Sequence, residues 1–169
     1  MGLPSKLKNF NVFNDGESYM GKVGEAVLPK LTRKMEEWRG GGMNGPVQMD
    51  FGTEALEMEC TYGGLMRRVL QQYGHKRHDG VMLRFAGAYT AEDADQVDAV
   101  EVVVRGRYKE IDFGTGKAGD DTAFKTVLAV SYYKLTINGE VLIEIDIMNL
   151  VEKVNGQDLL ADIRRALGV

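Results

Sequence analysis

The chain has 169 residues, 44% of them hydrophobic and 27% charged, which predicts one folded domain that buries roughly two-thirds of its unfolded surface. A net charge of −4 argues against a general polyanion binder, because duplex recognition needs a basic face. The single cysteine, Cys60, excludes an intrachain disulfide and a thiolate-rich metal cluster. No apolar run approaches the ~20 residues of a membrane span, and the first residues lack a signal-peptide core, so we expect no membrane anchor.

The first third of the chain is predicted to consist of strands and turns. Asn9–Tyr19 favours a hairpin that turns at Asn14-Asp15-Gly16. Leu31–Trp38 predicts a charged strand, and Arg39–Pro46, with the sequence RGGGMNGP, predicts a flexible loop. Two short strands with alternating apolar and polar residues follow. Their apolar face is predicted to hold Val47, Met49, Phe51, Leu56, Met58, Cys60 and Tyr62, and their polar face Gln48, Asp50, Glu57, Glu59 and Thr61.

Two helices are predicted. Gly64–Tyr73 places Leu65, Met66, Val69, Leu70 and Tyr73 on one side of a short central helix, which Gly74 ends. A C-terminal helix is expected over Gln157–Leu167. It is predicted to bury Leu160, Ile163 and Leu167 and to end at Gly168.

Long strands dominate the rest of the chain. Val81–Tyr89 alternates as a half-buried strand, and Val102–Asp146 predicts three long strands with two turns. Asn138-Gly139 lies between the last two strands and is a strong hairpin signal, because a tight primed turn needs positive φ. The middle strand is apolar on both faces at Val127–Val130, where an antiparallel sheet normally shows one polar face. Either a helix or a neighbouring subunit is expected to cover the second face.

The candidate chemical sites are each incomplete. His75 and His78 have an H-x-x-H spacing, but zinc normally needs three or four protein ligands, so exposed loop histidines are the preferred interpretation. Gly114-Thr115-Gly116-Lys117 lacks the earlier glycine and the Ser or Thr of a phosphate-binding loop. Cys60 falls on an apolar strand face and is expected to be an inert core residue. Neighbouring carboxylates are expected by chance among 25 acidic residues, so we predict neither an enzyme nor a cofactor.

Four blocks of sequence carry a family resemblance. They are LPKLTRKMEEWRGGGMNGPV at Leu28–Val47, RGRYKEIDFGTGKAGDDT, YYKLTINGEVLIEID and NLVEKVNGQDLLADIRRALG. In this order they resemble the major tail tube protein of contractile-tailed phages, a family shared with the tubes of R-type bacteriocins. The similarity covers nearly the whole chain, which is expected to form a single tail tube domain over residues 1–169.

The resemblance implies a mainly β (α+β) fold of two packed antiparallel β-sheets with a short central helix and a C-terminal helix. The inner sheets of neighbouring subunits are expected to join into a ring-wide β-barrel. The implied function is that of a structural subunit that polymerises as stacked hexameric rings, forming a conduit that pierces the bacterial envelope and passes double-stranded DNA. Implied partners are the chain itself, the tail sheath, tape-measure, baseplate and tail terminator proteins. The implied location is the virion tail tube, assembled in the host bacterial cytoplasm.

Sheet edges give this assembly a physical rationale, because an unpaired edge strand must be covered, charged or closed by a neighbour. In the resembled family the loop at Arg39–Pro46 reaches the next ring. Inter-ring contact is therefore expected from Arg39, Gly40, Gly41, Gly42, Met43, Asn44, Gly45 and Pro46. We further hypothesise that the polar face of Gln48, Asp50, Glu57, Glu59 and Thr61 lines the lumen, the alternative being an ordinary outer face. The alternative function is a monomeric β-barrel ligand-binding module. Such a module would have an aromatic-lined pocket, and Trp38 is the single tryptophan of the chain.

Overall fold

The computed structural model describes residues 1–169, and most of the regular backbone is antiparallel strand. The elements in chain order are β1 (Lys6–Asn14), β2 (Glu17–Ser18), β3 (Val23–Val27), β4 (Arg33–Trp38), β5 (Val47–Thr53), β6 (Leu56–Tyr62), α1 (Arg67–Gln71), β7 (Val81–Thr90), β8 (Val97–Asp112), β9 (Phe124–Ile137), β10 (Glu140–Asp146), β11 (Val151–Val154), β12 (Gln157–Asp158) and α2 (Ala161–Leu167). The mainly β fold with two antiparallel sheets and two helices, predicted from the sequence, is confirmed.

Ten of the strands form one hydrogen-bonded sheet that has two halves. The first half has the order β12-β11-β10-β9-β8-β7-β1-β2, and the second half adds β6 and β3 to β9. Strand β9 pairs with β10 through Tyr132–Ile137 and with β6 through Phe124–Val130 along the same edge. Strand β8 pairs with β7 as far as Gly106 and continues to Asp112 against β9 alone. The long strands β8 and β9 therefore belong to both halves.

A corner in β8 lets the sheet pass from one half to the other. The register of β8 against β9 shifts between Arg105 and Gly106 and again between Tyr108 and Glu110. A Cβ atom at Gly106 would collide with the carbonyl oxygen of Ala129, so the two backbones approach too closely there for any side chain. Bulges of this kind bend a strand and increase its twist.

The two halves enclose one core of 19 buried residues. Val12, Leu83 and Val104 come from the first half, and Met58 and Leu128 from the second. The ring of Tyr19 meets that of Tyr62 edge-on with centroids 5.8 Å apart, which joins the end of β2 to β6 across the core. The two sheet layers thus pack face to face.

Both tight turns predicted from the sequence are confirmed. Asn138 and Gly139 have φ values of 50° and 83°, as a primed hairpin turn between β9 and β10 requires. Asp15 and Gly16 have φ values of 48° and 87° between β1 and β2. The three long strands expected over Val102–Asp146 correspond to β8, β9 and β10.

Both helices are shorter and more exposed than predicted. Helix α1 starts at Arg67 and buries Val69, while Leu65 and Tyr73 remain 71% and 62% exposed. Helix α2 starts at Ala161 rather than Gln157, because Gln157 and Asp158 pair with β11 as strand β12. No residue of α2 is buried, so the predicted burial of its apolar side is wrong. Neither helix is long and apolar enough to cross a membrane.

The second face of β9 carries buried apolar residues and lies between charged side chains of the flanking strands. Val127 is 6% exposed but lies outside the core. Lys109 of β8 donates to Glu57 of β6 at 2.6 Å, and because β9 lies between these strands, the pair spans it. The aliphatic stems of long charged residues bury apolar surface in this way. Neither of the two predicted covers, a helix or a neighbouring subunit, is needed to bury Val127.

Candidate assembly surfaces

Several large apolar side chains are exposed on an arm, residues 33–53, formed by β4, β5 and the loop between them. The arm is a separate two-stranded sheet, and an isolated two-stranded hairpin is at best marginally stable in water. Trp38 pairs with Val47, and Glu36 with Met49, so these residues share one face. We call Trp38, Val47, Met49 and Phe51 the apolar arm face; they are 61%, 47%, 47% and 63% exposed.

The root of the arm is fixed by Arg33. Its Nε donates to Asp50 Oδ2 at 2.9 Å and its Nη1 to Thr53 Oγ1 at 3.2 Å. The same guanidinium forms an ion pair with Glu152 of β11, whose residue exposure is 9%. The hydrogen bond from Arg33 lowers the pKa of Asp50, and the bond to Glu152 raises the pKa of Arg33. This anchor connects the arm to the main sheet.

The tip of the arm is the loop over residues 39–46. The side chain of Met43 folds back onto the loop, and its sulfur accepts the Gly40 amide at 3.0 Å. Its carbonyl oxygen accepts from Arg39 Nε at 3.3 Å, and Gly42 takes a φ of 84° that favours glycine. Met43 therefore stabilises the loop itself. The adjacent apolar surface comes from Trp38.

The five residues predicted to line a lumen lie on two different sheets. Gln48 and Asp50 belong to the polar face of the arm, whereas Glu57, Glu59 and Thr61 lie on β6 in the main sheet. The alternation of polar and apolar residues shows which side chains share a face of one strand, but it does not show which sheet that strand joins. The predicted common apolar face is wrong for the same reason. Leu56, Met58, Cys60 and Tyr62 are core residues, while Val47, Met49 and Phe51 are exposed.

The carboxylates on β6 are paired with lysines of neighbouring strands. Glu57 is 2.6 Å from Lys109 Nζ and Glu59 is 3.4 Å from Lys125 Nζ. The hydrogen bond to Glu57 raises the pKa of Lys109. The face around Glu57 and Glu59 therefore carries locally balanced charge, in contrast to the acidic surface expected from β6 alone.

Two sheet edges in the second half lack partners. Strand β3 pairs with β6 alone, and Arg107–Asp112 of β8 pairs with β9 alone. Their order is β3-β6-β9-β8 and each neighbouring pair is antiparallel, so β3 runs opposite to β8. A copy that placed its β3 beside β8 of another copy would continue the antiparallel alternation. Such edges are templates for pairing with a further chain.

The residues with catalytic or metal-binding chemistry form no centre. His78 Nδ1 is 2.8 Å from Ser131 Oγ, and His75 Nδ1 accepts the Arg77 amide at 3.2 Å. No group of three or more His, Cys, Asp or Glu side chains converges. Cys60 is buried, as predicted, and burial raises the pKa of its thiol to about 12. Gly114–Lys117 lies in the loop between β8 and β9.

Sequence reasoning missed the two features that define the arm. The Arg33–Glu152 pair joins residues 119 positions apart, and no local pattern reports such a contact. The sequence pattern predicts one apolar face for Val47, Met49 and Phe51 together with the residues of β6, and it does not separate the exposed residues of the arm from the buried residues of β6. Trp38, a large aromatic residue at the end of a charged strand, is the sequence signal that could have indicated the apolar arm face.

Three solved structures of tube, terminator and cap components share this fold. The chain matches the sheath/tube terminator of an extracellular contractile injection system (PVC) with a TM-score of 0.60 and 10% identity, covering 79% of this chain and 96% of that one. It matches the tube-terminating cap of the anti-feeding prophage with a TM-score of 0.60 and 14% identity, covering 82% and 93%. A sheath–tube complex of the PVC system gives a TM-score of 0.59 at 10% identity, covering 79% and 91%. At these identities the likeness establishes the fold.

Sequence comparison gives a closer relationship. The chain is 48% identical to the tail tube protein of Escherichia phage P2, over 100% of both chains. It is 38% identical to the major tail tube protein of Serratia phage KSP20, over 100% of this chain and 99% of that one. The family model for the phage tail tube protein FII matches residues 4–168. These matches confirm the resemblance inferred from the sequence blocks, and the chain belongs to the phage tail tube protein family.

Proposed function

We propose that this structural tail tube subunit polymerises as hexameric rings that stack into the inner tube of a contractile phage tail or a phage-tail-like bacteriocin. The observation that carries the proposal is the pair of open edges on β3 and β8, in a chain whose family match spans residues 4–168. Four antiparallel strands per copy allow edge-to-edge pairing around a ring without any reversal of strand direction. The resulting ring-wide β-barrel would remove both edges.

The apolar arm face supports self-association independently of the sheet edges. Its four residues are each at least 47% exposed, on a hairpin that gains little stability by itself. Exposed apolar patches of this kind mark sites of protein–protein contact. We expect the arm, with its 39–46 loop, to pack against a neighbouring copy, the loop facing the next ring.

The outer face of β6 and of its neighbouring strands is the surface that we propose lines the lumen. Glu57, Glu59 and Thr61 remain candidates for this wall, and Lys109 and Lys125 join them through their ion pairs. A wall of paired charges offers no uncompensated cationic surface to DNA, whose binding depends on phosphate neutralisation by Lys and Arg. Gln48 and Asp50 lie on the arm, and we do not propose that they line the lumen.

The partners implied by family membership belong to the same proposal. The structural relatives include a sheath–tube complex and tube terminators, which supports a sheath outside the tube and a terminator at its end. The tape-measure and baseplate proteins, transient passage of double-stranded DNA, and assembly in the host bacterial cytoplasm complete the proposed role. A monomeric ligand-binding barrel is not favoured, because the main sheet is open and Trp38 is exposed on the arm.

Negative-stain electron microscopy of the purified chain across rising concentration tests the assembly. Light scattering on the same samples gives the particle mass. We expect rings and then hollow tubes of uniform width. A chain that stays monomeric throughout this range would overturn the proposal.

The lumen assignment has its own test in particles that carry the variant Glu57→Lys/Glu59→Lys. The change adds two cations beside Lys109 and Lys125, so tubes should form while DNA ejection is impaired. The matched variant Glu57→Gln/Glu59→Gln removes the carboxylates without adding cations and should eject more DNA than the lysine variant. Normal infectivity of the lysine variant would remove these residues from the lumen wall.

A further inference from the structure

The two ends of strand β7 carry opposite charge. β7 runs from Val81 to Thr90, and the nine steps between its first and last residues separate its ends by about 30 Å. Residues 67–77, which comprise α1 and the loop after it, lie shortly before its start. Residues 91–98, which form the turn after β7 and the first two residues of β8, lie directly after its end. We call these two segments the basic end and the acidic end.

The basic end has four cations and no carboxylate: Arg67, Arg68, Lys76 and Arg77. Arg68 pairs with Asp15 at 3.4 Å and Arg77 with Asp79 at 3.0 Å. Arg67 and Lys76 are exposed and form no ion pair within the chain. Arg107 donates to the Lys76 carbonyl oxygen at 3.3 Å and adds a further cation. The segment is therefore incompletely neutralised by its own chain.

The acidic end has four carboxylates and no cation: Glu92, Asp93, Asp95 and Asp98. Three of them make contacts that hold the turn in place. Lys8 pairs with Glu92, the Leu3 amide donates to Asp93 at 2.8 Å, and Asn138 donates to Asp98 at 2.9 Å. Asp95 is exposed and has no partner among the ion pairs or side-chain hydrogen bonds. The turn is thus a preorganised negative surface, which reduces the entropy lost when a partner binds.

We propose that the acidic end of one copy docks against the basic end of a second copy in the next ring. The proposal rests on the proposed stacking of rings and specifies which surfaces meet. A head-to-tail contact of this kind is heterologous and does not close on itself, so each ring leaves one free end of each sign. Two like ends repel, and like-charge juxtaposition suppresses wrong pairings. The charges therefore make every ring add in the same orientation, which gives the tube its polarity.

Two charge-reversal variants test the contact. Glu92→Lys/Asp95→Lys cancels the net negative charge of the acidic end, where Asp93 and Asp98 remain, and Arg67→Glu/Lys76→Glu cancels the net positive charge of the basic end, where Arg68 and Arg77 remain. Each variant alone should form rings that do not stack, as measured by electron microscopy and sedimentation velocity. Mixing the two variants should restore tubes, because the two introduced lysines of one variant then face the two introduced glutamates of the other, and combining all four changes in one chain should restore them as well.

A matched control reverses two exposed carboxylates elsewhere, Asp121→Lys/Asp162→Lys, in the β8–β9 loop and on α2. The control should form tubes like the wild type. Thermal melting of every variant reports whether the subunit is folded.

The outcomes separate this inference from the proposed function. Tubes formed by either reversal variant alone, or a mixture of folded variants that stays unstacked, would overturn the charge-paired contact. Loss of rings as well as tubes would overturn its placement between rings. A wild-type chain that stays monomeric would overturn the proposed assembly itself, and this contact with it.

Discussion

Arg33 of β4 forms an ion pair with Glu152 of β11, so a single guanidinium ties the root of the arm to the main sheet. Glu152 is buried, with a side-chain exposure of 11%, whereas Arg33 is 35% exposed. Removing one partner of a buried pair leaves an uncompensated charge, which costs more than the pair itself contributes. The orientation of the arm relative to the main sheet therefore depends on the side chains of Arg33 and Glu152.

The variant Arg33→Met tests that dependence. We expect the free energy of unfolding to fall by about 1–3 kcal/mol, below the range for fully buried pairs because Arg33 is partly solvated. Arg33→Met/Glu152→Gln should recover part of this loss, since the buried carboxylate is then neutral. Urea denaturation of both variants and of Glu152→Gln completes a double-mutant cycle. A coupling energy near zero would show that the pair does not hold the arm.

The apolar arm face should affect assembly rather than folding. Trp38→Ser/Phe51→Ser changes two side chains that are more than 60% exposed, so the melting temperature of the monomer should stay close to that of the wild type. Light scattering should show a large loss of rings and tubes. Leu167→Ser, on an α2 residue that is 65% exposed, is the matched control and should assemble normally. Unchanged assembly of the arm variant would exclude its apolar face from the interface.

Gly106 should be irreplaceable at the corner of β8. In Gly106→Ala the new methyl group meets the Ala129 carbonyl oxygen, and relief requires a backbone shift that costs about 2–3 kcal/mol. Gly116→Ala is the control, because nothing lies within 4 Å of its Cβ position. Chemical denaturation should separate the two variants clearly. Equal stabilities would mean that β8 and β9 can move apart without cost.

Stability should fall steeply at alkaline pH. Burial raises the pKa of Tyr19 and of Cys60 to about 12, from 10.0 and 9.0, and also raises the pKa of Tyr62 and Tyr108. Above pH 9 to 10 the unfolded chain releases these protons while the folded chain keeps them. The stabilisation is thus complete below the unfolded pKa values and is lost as pH rises towards about 12.

Denaturation curves at a series of alkaline pH values measure this loss, with tyrosinate absorbance reporting ionisation. Tyr62→Phe provides the matched variant, because the Tyr62 hydroxyl is buried without a hydrogen-bond partner and the ring is kept. Its stability should depend less on pH above 10. An identical pH dependence in the two proteins would contradict the contribution of Tyr62.

Local sequence signals predicted the parts of the fold that depend on neighbouring residues. Asn138-Gly139 specifies its hairpin because both residues must take positive φ, and the long strands on either side alternate plainly. The pairing of β6 with β9 joins residues some 70 positions apart (Leu56 with Val130, for example), and no local pattern encodes it. For the same reason the sequence predicts one common apolar face for β5 and β6, although the two strands belong to different sheets.

The assembly surfaces were predictable in part. Exposed edges and the loop at residues 39–46 were expected, and the structure has both. The inward turn of Met43 could not be read from the sequence, because a loop of glycines permits many paths and the contact with the Gly40 amide selects one. The start predicted for helix α2 lies too early in the chain. The Asp158 carboxylate accepts a hydrogen bond from the Leu160 amide at 3.2 Å and pairs with Arg164, so the chain stays extended up to that point.

Strands β8 and β9 run through both halves of the main sheet, and this has a mechanical consequence. A load applied to one half reaches the other along covalent backbone and along the hydrogen bonds between two long strands, which are sheared together rather than peeled one by one. Because both strands are continuous through the corner, the halves cannot separate unless one of them loses its pairing with β8 and β9. A subunit built in this way deforms as one unit under load, which suits a component of a tube that is loaded along its axis.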